Sequence, residues 1–92
     1  MKVRTVIHVY GRVQGVGYRY AVVEKAQELS LCGCARNEKD GSVYIEVEGD
    51  QKAVHEFLRW SRRGPSGARV DKVDFFLQGS LEDYKSFLIF HH

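Results

Sequence analysis

Apolar and polar residues alternate from the start of the chain. Val3, Thr5, Ile7 and Val9 interleave with Arg4, Val6, His8 and Tyr10, a period-two pattern rich in β-branched side chains that predicts an opening strand ended by Gly11. Beyond a loop reaching Gly17, the spacing changes. Tyr18, Ala21, Val22, Ala26 and Leu29 recur at helical intervals with Glu24, Lys25, Gln27 and Glu28 between them, which predicts a first helix. Residues 33–37 and 42–48 read as two strands joined through Glu38, Lys39, Asp40 and Gly41, whose Asp-Gly pair suits a tight turn. Val43, Ile45 and Val47 would then face a core. Asp50 is placed to cap a second helix with Val54, Phe57, Leu58 and Ser61 on one face, and Arg62, Arg63, Gly64 and Pro65 form its stop signal. Residues 68–77 predict a fourth strand, 79–84 a loop and 85–90 a last short strand.

The resulting order is β-α-β-β-α-β with one added C-terminal strand. That order implies an α+β fold, a ferredoxin-like two-layer sandwich in which two helices cover one face of an antiparallel sheet. RNA-binding modules share this architecture, so function must come from particular residues.

Composition narrows the field. The 92 residues, 43% hydrophobic with a single proline, fit one domain spanning 1–92 with no linker or repeat. A net charge of +2, from 14 basic and 12 acidic residues, is too balanced for the broad cationic surface that drives nucleic-acid binding. Any anion site must be local. No run reaches the roughly 20 apolar residues of a membrane span, and residues 1–10 do not read as a signal peptide. The expectation is a cytoplasmic monomer. Cys32 and Cys34, two apart on a strand, lie outside normal disulfide geometry and are expected to be reduced packing residues. No carboxylate or histidine cluster suits a metal, so no metal or other cofactor is expected. His8, His55, His91 and His92 are read as neither ligands nor bases, and Trp60 as the edge of the core.

Chemistry gathers between the first strand and the first helix, in Gly11, Arg12, Val13, Gln14, Gly15, Val16, Gly17, Tyr18 and Arg19. Glycine lets backbone amides turn inward, and the helix that follows adds free amides and a positive dipole end, so the segment is a candidate anion cradle. Its spacing matches neither the Walker loop nor the dinucleotide fingerprint. Arg19 strengthens the reading: a cation in a first helical turn opposes the dipole by roughly 0.3 to 1 kcal/mol unless an anion is present, and its planar fork grips two phosphate oxygens. A plain tight connection beside a surface arginine is the alternative. Tyr18 is expected to pack the helix on the sheet, with Tyr20 outside. Arg12 and Arg36 are read as solvated charges able to steer an anion.

The run 11–19 resembles the first signature of the acylphosphatase family, and Gly33, Cys34, Ala35, Arg36, Asn37, Glu38, Lys39, Asp40, Gly41, Ser42 and Val43 resemble the second. The resemblance covers nearly the whole chain. It implies hydrolysis of an acyl phosphate, a small molecule, to a carboxylate and inorganic phosphate, the latter also acting as an inhibitor. It further implies that Arg19 and Asn37 are catalytic, with Asn37 orienting the attacking water. The phosphate would lie on Gln14, Gly15, Val16, Gly17, Tyr18 and Arg19, mainly on backbone amides. Cys34 stands where the family usually has an aromatic residue, and Phe90 where basic residues are common.

The loop holds no cysteine, serine, aspartate or histidine, so no covalent phosphoenzyme is expected. Two alternatives remain at this level. One is a phosphate-binding module without turnover, like the similar domain that begins hydrogenase-maturation proteins, although an end at His92 leaves no downstream domain. The other is an RNA-binding domain, against which the charges of Glu46 and Glu48 beside Tyr44 would count.

Overall fold

The computed structural model describes residues 1–90. Five strands and two helices follow one another: β1 (Lys2–Arg12), α1 (Tyr18–Glu28), β2 (Cys32–Asn37), β3 (Val43–Asp50), α2 (Gln51–Ser61), β4 (Arg69–Gln78) and β5 (Phe87–Phe90). They form one sheet in the order β4-β1-β3-β2-β5. Its first four strands are antiparallel neighbours, as expected for the ferredoxin-like sandwich, whereas β5 runs parallel to β2 and makes the sheet mixed. The alternation read from the sequence decides the layers. Ile7, Val9, Val43, Ile45 and Val47 join Tyr18, Val22, Ala26, Val54 and Phe57 in one buried cluster, so both helices cover the same face. Asp50 caps α2, accepting from Lys52 N at 3.1 Å.

Gly11 does not end the first strand. Pairing with β4 shifts register between Tyr10 and Gly11 and continues to Arg12, a bulge that glycine permits at φ 133°. A Cβ there would collide with Arg69 O.

The other face of the sheet is crossed by the segment between β4 and β5. Glu48 anchors it, its carboxylate accepting from Glu82 N at 2.7 Å and Tyr84 N at 3.0 Å. Arg4 Nε donates to Ser80 O at 2.9 Å, and Tyr84 donates to Glu46 Oε1 at 2.9 Å. Glu48 is only 2% exposed. The repulsive charge expected on this face is therefore largely absorbed by main-chain amides, Arg4 and tyrosine hydroxyls. Cys32 and Cys34 are unbridged thiols, and burial pushes the Cys34 thiol up. His91 and His92, read from the sequence as neither ligands nor bases, lie outside the described residues.

Burial pushes the Glu46 carboxyl up, but hydrogen bonds from Tyr44, Tyr84 and Arg4, with the charge of Arg4, outweigh it and hold it below the usual range. A depressed folded pKa contributes stability above the unfolded value that is lost as pH falls through the folded one. Glu46→Gln is thus expected to lower the melting temperature at pH 7 and to differ less from wild type below about pH 4. A gap constant from pH 7 to 3 would rule this contribution out.

Candidate active site

β1 and β2 run in the same direction with β3 between them, so the loop leaving β1 and the last residue of β2 emerge at one end of the sheet. There, Val13, Gly15, Gly17, Tyr18, Arg19, Tyr20 and Asn37 line a cavity of about 140 Å³. Gly15 and Gly17 adopt the left-handed region, at φ 73° and 77°, where a side chain would be strained. Gly17 is the N-cap of α1, with no side-chain cap and no acidic residue in the first turn. The first helical bond runs from Ala21 N to Gly17 O at 3.0 Å. Helix geometry leaves the amides of Tyr18, Arg19 and Tyr20 without intrahelical acceptors, beside the positive end of the dipole.

Each predicted residue has a distinct placement. Gly15, Gly17, Tyr18, Arg19 and Asn37 meet at the cavity, whereas Gln14 and Val16 do not line it. Gln14 Nε2 instead donates to Glu38 O at 2.7 Å and Ser42 O at 2.9 Å, binding the loop to the β2–β3 turn. Val16 packs against the core. Tyr18 is buried in the core between α1 and the sheet, as expected, and it also bridges the helices: its hydroxyl donates to Ser61 O at 2.8 Å and its ring lies 5.7 Å from that of Trp60. Trp60 itself is partly buried at the core edge.

Arg19 Nη1 donates to Phe90 O at 3.0 Å, and among the described residues no carboxylate pairs with it. Asn37 Oδ1 is buried and accepts no hydrogen bond among the described residues. Arg36 is engaged elsewhere, stacked 4.1 Å over the Tyr44 ring and 3.5 Å from Glu38. Sequence reasoning missed Val13, Tyr20 and the Phe90 carbonyl. Tyr20 carried a signal, since it follows Arg19 in the first helical turn; a backbone acceptor 71 residues away carried none. A larger cavity of about 730 Å³, lined besides Asn37 by His8, Tyr10, Glu38, Lys39, Asp40 and Ser42, touches this site only through Asn37.

Among the described residues no group of three or more His, Cys, Asp or Glu is placed to hold a metal ion, and no helix is long and apolar enough to cross a membrane.

The acylphosphatase family model matches residues 5–89. The chain belongs to the acylphosphatase family. An acylphosphatase from Arthrobacter sp. is 46% identical over 85 residues, covering 92% of this chain and 78% of that one. The crystal structure of acylphosphatase from Bacillus subtilis superposes with a TM-score of 0.94 at 35% identity, covering 97% of this chain and 99% of that one. The structure of HypF from T. kodakarensis also matches, with a TM-score of 0.82 at 30% identity, over all of this chain but 12% of that one. The acylphosphatase fold and both loops of the cavity therefore fall inside the matched region.

Proposed function

We propose that this acylphosphatase-family chain hydrolyses the carboxyl–phosphate bond of a small acyl phosphate by direct attack of water. The observation that carries the mechanism is Asn37, a residue of the cavity that Arg19 and the glycine loop share, whose buried Oδ1 accepts no hydrogen bond among the described residues. A buried carbonyl oxygen without a donor costs about 1 to 3 kcal/mol, and a water donating to it recovers that loss. The same water is thereby aimed. Its oxygen forms the new bond to phosphorus while the bond to the acyl oxygen breaks, the electron pair leaves with the carboxylate, and both protons of the water end on phosphate oxygens.

Charge in a loose phosphoryl-transfer transition state spreads over the equatorial oxygens. The Arg19 guanidinium and the amides from Gly15 to Tyr20 stabilise it there. A carboxylate is a stable leaving group and needs no general acid. Gln14 and Val16 act by holding the loop, through the turn and the core respectively. The protein works in this reading as a cytoplasmic monomer, with no nucleic-acid or membrane partner.

The test is hydrolysis of benzoyl phosphate by the purified protein, followed by ultraviolet absorbance against the spontaneous rate. Phosphate that binds without turnover would support a binding module instead. Inorganic phosphate is expected to inhibit competitively and, at about 100 times its dissociation constant, to add roughly 2.7 kcal/mol of stability, about 14 °C in melting temperature for a domain this size. No shift at saturation would remove the cradle. Activity is expected to survive exhaustive chelation; loss restored by a divalent metal would overturn the metal-free mechanism.

A further inference from the structure

The leaving group must also meet the protein, and few side chains remain to receive it. The 140 Å³ cavity is lined by seven residues. Val13 lies in the core, and Gly15 and Gly17 offer only backbone. Arg19 and Asn37 are assigned to phosphate oxygens and water. Tyr18 is turned into the protein, its hydroxyl held by Ser61 O and its ring beside Trp60. Tyr20 alone is free: it is 62% exposed, and among the described residues its hydroxyl makes no hydrogen bond and its ring no aromatic pair.

In-line transfer sharpens the choice. Attacking and leaving oxygens lie on opposite sides of phosphorus, so the acyl group departs away from the water at Asn37. That geometry disqualifies the larger groove of His8 and Tyr10, which reaches the site only through Asn37. We propose that Tyr20, which lines the cavity and is exposed, is the specificity-determining contact for the acyl group, favouring aromatic over small aliphatic acyl phosphates. The inference rests on the acyl-phosphate reading above. An exposed aromatic in a first helical turn contributes little packing, and alanine is the better helix former, so neither packing nor helix propensity accounts for a tyrosine here.

The test compares kcat/KM for benzoyl and acetyl phosphate in wild type, Tyr20→Ala, Tyr20→Phe and Tyr10→Ala, with the phosphate inhibition constant measured alongside. Tyr20→Ala is expected to lower the benzoyl-to-acetyl ratio about five- to tenfold, the scale of one aromatic pair with its buried area. Tyr20→Phe should keep the ratio, and phosphate inhibition should stay within twofold. A ratio unchanged in Tyr20→Ala, or an equal fall in Tyr10→Ala, overturns the assignment while the enzyme reading stands. Wild type that turns over neither substrate yet is stabilised by phosphate would bring down the reading beneath it and this contact with it.

Discussion

Arg19→Gln should reduce kcat/KM for any acyl phosphate by at least 10²- to 10³-fold, the loss found when a single preorganised donor to a developing anion is removed, about 2.7 to 4 kcal/mol. The fold should barely notice. Removing a cation from the first turn of α1 relieves about 0.3 to 1 kcal/mol of dipole repulsion, while the lost bond from Nη1 to Phe90 O costs about 0.5 to 1.5 kcal/mol. The two nearly cancel, so the melting temperature without phosphate should move by only a few degrees. The rise caused by phosphate should vanish. A variant that unfolds where phosphate-free wild type is stable would make Arg19 a structural residue and end its assignment as the anion clamp.

Asn37→Ala should separate binding from turnover. With Arg19 and the loop amides intact, the phosphate inhibition constant and the phosphate-induced stabilisation should persist, whereas kcat should fall about 10²- to 10³-fold once the water is no longer aimed. The variant also discards a buried oxygen that accepts no hydrogen bond among the described residues. Its stability should therefore equal or exceed that of wild type, the pattern of a residue kept for activity at some expense of the fold. Near-normal turnover would take Asn37 out of the mechanism.

The layers were legible because Val9, Val43, Ile45 and Val47 alternate with polar neighbours, and a period of two permits only one burial pattern. The proposed anion cradle was legible in outline: Gly15, Gly17 and Arg19 combine backbone freedom, a helix start and a misplaced cation. Asn37 gained a role only through the second signature, since an asparagine after a strand is as often a turn residue. Other features depend on contacts between distant segments. Gln14 looked like a loop residue and is a tie between two loops. Glu48 read as an exposed charge, and a segment more than 30 residues later buries it. The parallel pairing of β5 is set by where the crossing segment delivers the chain, which period alone does not encode.

The sheet order has a consequence for the history of each molecule. β1 and β2, which deliver the two halves of the site, never touch; β3 separates them, so their axes stand about 10 Å apart. A partly folded chain with β1 and α1 in place would carry the glycine loop and Arg19 but hold Asn37 at no defined distance. Refolding should therefore recover anion affinity no later than catalysis, and turnover should appear only as β3 enters between its neighbours. Catalytic activity in this chain then reports completed assembly of the central sheet.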